Sequence, residues 1–253
     1  MHSDVSGDMS VDRSRHVGAG GGPSAGPGHL EDRVEKGLDN LGTMIKPRLR
    51  GWLHVGAFPF AVGAGGLLTV LSPDARSRLA VALFTLSAAL LFGISAVYHR
   101  GHWGVRAEGV LRRLDHANIF LIIAGTYTPF CVLALPPGQA RGLLWIVWCG
   151  ALAGVVFRVL WVGAPRWLYV PVYIVLGWVA VIYLPAFWRA GGAPIVTFLF
   201  LGGALYTVGA VVYGLRRPDP HPRWFGFHEV FHALTIVAFG AHCVGIAIAL
   251  QAD

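Results

Sequence analysis

LAVALFTLSAALLFGISAVY, residues 79–98, runs for twenty residues without a charged side chain. It has no strict alternation of apolar and polar positions. A bilayer core requires about 20 apolar residues of helix. A barrel strand would instead alternate over about 10 residues. The run therefore predicts a membrane-crossing helix. Outward from it, six similar stretches follow the same rule: 52–71, 115–135, 142–161, 169–188, 195–215 and 228–250. Their connectors carry breakers or charges, as in SPDARSR (72–78), PPGQAR (136–141), VGAPRW (162–167), RAGGAP (189–194) and RRPDPHPRW (216–224). In lipid only helices and closed barrels satisfy the backbone, so an all-α seven-transmembrane helix bundle is expected over residues 46–253. The pairs and triplets of small residues, such as Gly202–Gly203 and Ser87-Ala88-Ala89, suit close helix contact.

Composition agrees. Of the 253 residues, 55% are apolar and only 13% are Asp, Glu, Lys or Arg, against about 25% charged in a soluble domain. That excludes a soluble enzyme, a disordered chain and a coiled coil. The formal charge of +7 reads as basic cytoplasmic loops rather than as a nucleic-acid surface. Twelve Lys or Arg fall on the side holding Lys46, Arg100, Arg158 and Arg216, and four on the side of Arg76 and Arg189. This split predicts a multi-pass cell-membrane protein with its N-terminus in the cytoplasm and its C-terminus outside. Cys131, Cys149 and Cys243 sit in apolar stretches without a CxxC pair and read as small buried hydrophobes.

Residues 1–45 form a separate segment. GAGGGPSAGPGH (18–29) has the composition of disorder, and no signal peptide precedes it. Leu30, Val34, Leu38 and Leu41 then recur at helical spacing, as in a short amphipathic helix or a frayed linker.

Ionisable groups within membrane helices are costly and point to function. HEVFH (228–232) places His228 and His232 about 40° apart around a helix and about 6 Å apart along it, a spacing that lets both hold one metal ion. It also fits the HExxH pattern, with Glu229 as a candidate base. Two core histidines bonded to neighbouring helices are the plain alternative. His99 ends the second run and Asp115 begins the third, at the membrane depth where the seventh begins. Ser95 lies one turn deeper than His99 on the same face. Three histidines and a carboxylate thus share one level if the second and seventh helices are neighbours. Asp115 also fits a helix N-cap. His242, fourteen residues after His228, lies about 21 Å further along and is read as a helix-packing group. His54, His102 and His116 are read the same way. A di-haem site would need a second helix with two such histidines, and none occurs.

SAVYH (95–99), LDHANIFLIIAGTYTPF (114–130), GGALYTVGAVVYGLRRP (202–218) and FGFHEVFH (225–232) resemble the hemolysin III family, the bacterial branch of the progestin and adipoQ receptor superfamily. KPRLRGWLH (46–54) fits its start. The resemblance implies zinc near the cytoplasmic face, held by His99, His228 and His232. It implies that Asp115 contacts the zinc-bound water and that Ser95 is the family's serine before the first ligand. Adiponectin receptors, the animal relatives, are linked to ceramide hydrolysis; there the position of Glu229 is a Gln, so Glu229 need not be a base. The function expected is a zinc-dependent hydrolase of a membrane lipid amide or ester, with Asp115 and Ser95 as catalytic groups. The alternatives are a membrane-permeabilising hemolysin-like protein, a receptor or sensor with structural zinc, and an intramembrane protease. A pore would need a polar stripe along its helices, whereas these are almost uniformly apolar.

Overall fold

A computed structural model describes residues 47–252. The N-terminal segment 1–45, including the amphipathic stretch from Leu30, lies outside the described residues. Among those described, the elements are α1 (Trp52–Leu71), α2 (Ala75–Arg100), α3 (Val105–Ala134), α4 (Pro137–Leu160), α5 (Arg166–Gly177), a 3₁₀ turn (Val179–Tyr183), α6 (Leu184–Leu215) and α7 (Phe227–Ala249). The protein is all-helical over these residues. Six helical stretches are long and apolar enough to cross a membrane. The fifth, Arg166–Leu215, is 50 residues long. It folds back on itself. The Arg166 guanidinium near its start stands 4.7 Å from the Tyr213 ring near its end, and Gly192 leaves helical geometry in between, at φ 60° and ψ −153°.

Sequential helices pack side by side, and α7 lies against α6, α1 and α3. α3 is the most enclosed, with 72% of its apolar window buried, against 28% in α1 and α4. Phe239 of α7 stacks on Phe84 at 5.0 Å and meets Phe92 edge-on at 5.5 Å, both from α2. These rings are fully buried, each of the kind that contributes about 1.5–3 kcal/mol on burial. The outward faces remain apolar, with Leu67, Val70, Leu160 and Ile182 exposed, as a lipid-facing surface requires.

The backbone break after α5 is satisfied by side chains, as membrane depth demands. The Tyr127 hydroxyl donates to the Gly177 carbonyl at 2.7 Å and accepts from the Ala180 N–H at 2.9 Å. The Trp178 indole N–H donates to Thr207 Oγ1 at 2.9 Å. At the start of α2, Asp74 Oδ1 accepts from the N–H groups of Arg76 and Ser77. The Ser77 hydroxyl above all holds that exposed carboxyl below its ordinary range.

Exposed tryptophans ring both ends of the bundle. Trp52, Trp103, Trp161, Trp167 and Trp224 are exposed at the ends that meet around the start of α7. Trp145 and Trp188 are exposed toward the opposite end.

The structure corrects three local readings. α3 begins at Val105 behind Gly104, ten residues before the expected start, so Asp115 lies inside the helix and is not its N-cap. The polar turns of α3 extend past the apolar run because helix formation needs no lipid. Cys149 is exposed on the outer face of α4, unlike buried Cys131 and Cys243. His102 is exposed on the link between α2 and α3 and is not a buried packing group.

Candidate metal centre

The expected neighbours do meet. One ligand nitrogen each from His99, His228 and His232 lies within 4.8 Å of the others. His99 closes α2, and the two others open α7 on one face. His228 Nε2 and His99 Nε2 are 3.3 Å apart. Two imidazole nitrogens at about 2.0–2.1 Å from a tetrahedral zinc stand about 3.3 Å apart. His232 is buried, and its Nδ1 has no hydrogen-bond partner. Neutral imidazoles so arranged are a borderline-soft donor set that fits zinc.

Asp115 approaches from α3, with Oδ2 4.0 Å from His99 Nε2. That is too long for a direct hydrogen bond. The Ser95 hydroxyl, buried at 1% exposure, lines the same cavity as the Asp115 carboxyl. Ser95 and Asp115 therefore stand beside the three imidazoles.

Glu229 is occupied elsewhere. It is fully buried, and its Oε1 accepts from Arg50 Nε at 3.0 Å. Its Oε2 accepts from the Gly226 N–H at 2.9 Å, capping α7. Both oxygens are committed to holding the start of α7, which carries two of the histidines.

Gly51 makes the N-terminal approach possible. Its φ is +82°, a left-handed conformation that disfavours side chains, and a Cβ there would come within 2.8 Å of His99 Cβ. The turn brings Arg50 to Glu229 and α1 onto the cluster.

Several neighbours have no local signature in the sequence. His54 of α1 stacks on His232 at 3.7 Å between centroids, nearly parallel at 12°, and neither of its ring nitrogens has a hydrogen-bond partner. His116 receives Arg158 Nη2 on Nδ1 at 3.0 Å. Arg158 itself is 1% exposed and lies over Tyr169 at 4.3 Å. A lone Arg inside an apolar run was the available signal for that residue; counted only as a loop charge, it says nothing of burial. His54 and His116 thus do pack against other helices, and His242 does so through Leu199.

From this cluster a cavity of about 120 Å³ runs into the bundle. Its near end holds Ser95, Asp115, His228 and His232, and most of its wall is apolar or aromatic, with Ile119, Ile122, Ile174, Leu199 and Phe200 among the residues that line it. A metal-fitting polar head on an apolar slot suits a molecule with one reactive polar group and a long apolar tail.

The chain matches the family described as haemolysin-III related over residues 43–243. It is 35% identical to a Bacillus subtilis (strain 168) hemolysin-3 homolog over 146 residues, 57% of this chain and 68% of that protein. It is 30% identical to the Bacillus cereus hemolysin-3 over 154 residues, 60% of this chain and 70% of that one. A human monocyte to macrophage differentiation factor is 22% identical over 190 residues, 74% of this chain and 76% of the relative. The chain belongs to the hemolysin III family, within the progestin and adipoQ receptor superfamily, and is a multi-pass protein of the cell membrane.

Proposed function

We propose that the protein is a zinc-dependent hydrolase that cleaves an amide or ester bond of a membrane lipid. The observation that carries this reading is the juxtaposition of three imidazole nitrogens with Asp115 and Ser95 at the head of an apolar cavity. His99, His228 and His232 would hold the ion. Zinc in such a site supplies Lewis acidity, bringing a water's pKa toward about 7 and polarising a carbonyl.

The chain's own groups do the rest. Asp115 enters from a different helix than the histidine pair, so its carboxylate can orient a water and take its proton on Oδ2. Ser95 Oγ can donate to that carboxylate or to oxygen charge developing on the substrate, an effect of about 2–4 kcal/mol in good geometry. Glu229 is an anchor in this scheme, since Arg50 and the Gly226 N–H occupy its two oxygens. The apolar wall holds the acyl chain and keeps bulk water from the reacting end.

The topology belongs to the same reading. We infer seven crossings, because the 50-residue stretch brings its two ends together at Arg166 and Tyr213. The basic-residue split then puts the N-terminus and the histidines on the cytoplasmic side and the C-terminus outside. The segment 1–45 is read as dispensable to this domain.

The test is metal analysis of detergent-purified protein together with hydrolysis of amide- and ester-linked fluorescent lipids. One zinc per chain and turnover are expected, with both lost in a His228→Ala/His232→Ala variant. Full zinc occupancy in that variant would overturn the ligand set. Zinc without turnover of any lipid would favour a receptor with structural metal. The bacterial relatives' name, hemolysin-3, favours permeabilisation as the second reading; dye release from protein-containing vesicles without hydrolysis would support it.

A further inference from the structure

The far end of the cavity holds polar atoms that the reaction scheme does not use. His242 of α7, Tyr206 of α6 and Thr126 of α3 all line it. His242 Nδ1, Tyr206 Oη and Thr126 Oγ1 are buried and lack hydrogen-bond partners. Unpartnered polar atoms inside a membrane helix bundle each cost free energy and call for an occupant. Tyr206 adjoins His242, and Thr126 stands one helical turn from another ring that touches His242. The Tyr206 and His242 rings are 5.7 Å apart. Phe130, one turn beyond Thr126 on α3, meets His242 edge-on at 5.9 Å.

His242 is held in place by its surroundings. Its Nε2 lies 3.4 Å from the Leu199 carbonyl, which can only accept, so Nε2 carries the proton. In the neutral ring Nδ1 is then a free acceptor. The facing position on α6 is Gly202, where a Cβ would collide with the imidazole. The bundle therefore gives up a side chain to seat a histidine whose remaining nitrogen is unmatched.

These atoms specify a ligand group. It must donate a hydrogen bond to Nδ1 and accept one from Tyr206 or Thr126, which is the pattern of an alcohol. An anionic group is not matched at this end, because no Lys or Arg side chain stands beside these three residues in the cavity lining. The distance is fixed by α7. His242 is ten residues beyond His232, about 15 Å along the helix at 1.5 Å per residue. An extended chain advances about 3.5 Å per three bonds, so roughly a dozen bonds separate the two sites.

We propose that His242, Tyr206 and Thr126 form a hydroxyl-recognition subsite for an acyl chain that bears a hydroxyl group near its middle, with its head at the histidine cluster. This deepens the lipid reading above and rests on it. The test is binding of octadecanoic, 2-hydroxyoctadecanoic and 12-hydroxyoctadecanoic acids to the purified full-length protein, the last placing its hydroxyl about a dozen bonds from the head.

The 12-hydroxy acid is expected to bind about tenfold or more tightly than octadecanoic acid, a gain in the range of one buried hydrogen bond. Tyr206→Phe and His242→Phe should each reduce that preference while leaving octadecanoic acid binding unchanged. Tyr206→Phe removes a single oxygen and guards against loss of fold in the other variant. Equal affinity for the three acids, an equal gain for the 2-hydroxy acid, or a preference that survives both substitutions overturns the subsite alone. If none of the acids binds, the lipid reading of the cavity fails with it.

Discussion

Replacing Glu229 by Gln removes one charge from a fully buried position and leaves the shape nearly unchanged. The Gln carbonyl oxygen can still accept from the Gly226 N–H, so the cap on α7 survives. What is lost is the charge-assisted bond from Arg50 Nε, now 3.0 Å long. Removing one member of a buried pair costs about 3–5 kcal/mol. The Arg50 side chain is 20% exposed, so water recovers part of that, and a loss of about 2–4 kcal/mol is expected. At about 2–4 °C per kcal/mol for a domain of this size, the unfolding midpoint should fall by roughly 5–15 °C. The assay is thermal unfolding of the purified protein in one detergent, run as a double-mutant cycle with Arg50→Met. A coupling of at least about 1 kcal/mol should appear. Zinc content and lipid turnover, measured well below the midpoint, should stay near wild type. Abolished turnover with an unchanged midpoint would refute this reasoning and restore Glu229 as the base of an HExxH mechanism.

Asp115→Asn should remain folded and zinc-loaded while hydrolysis falls by at least about 100-fold, measured on purified protein. Gly51→Ala should lower stability by about 1–3 kcal/mol, from the left-handed backbone and the clash with His99, and weaken zinc retention on dialysis. A reporter active only outside the cytoplasm, fused after Asp253, should be active; activity of a cytoplasm-only reporter there would reverse the topology.

Hydropathy reads the part of a helix that touches lipid. It found the first crossing at 52–71, the limits of α1. It missed ten residues of α3, where Arg106, Glu108, Arg112 and Arg113 continue the helix beyond the apolar run. That error moved Asp115 from a helix interior to a helix end. The His228–His232 pair was legible because a single helix sets its geometry. The placement of His99 and Asp115 beside it needed only alternating spans and neighbouring helices. Arg50 and Glu229 are 179 residues apart, and His54 and His232 almost as far, so no local pattern announces either contact. The unpartnered hydroxyls of Tyr206 and Thr126 were equally silent, since Tyr and Thr are ordinary in membrane helices until their partners are known.

The exposed tryptophans have a mechanical consequence. An indole prefers the headgroup layer, and five of them girdle the end that carries the histidines. Trp103 and Trp224 each stand four residues from His99 or His228. Vertical drift of the bundle would pull several indoles out of the interface at once, so the histidine end is moored to one leaflet's surface. Only Trp145 and Trp188 are exposed toward the other end, and a thicker or thinner bilayer is therefore accommodated there. On the proposed hydrolase reading, this mooring would hold the imidazoles at one depth, near the linkage between a lipid's polar and apolar parts, whatever the length of the chains below.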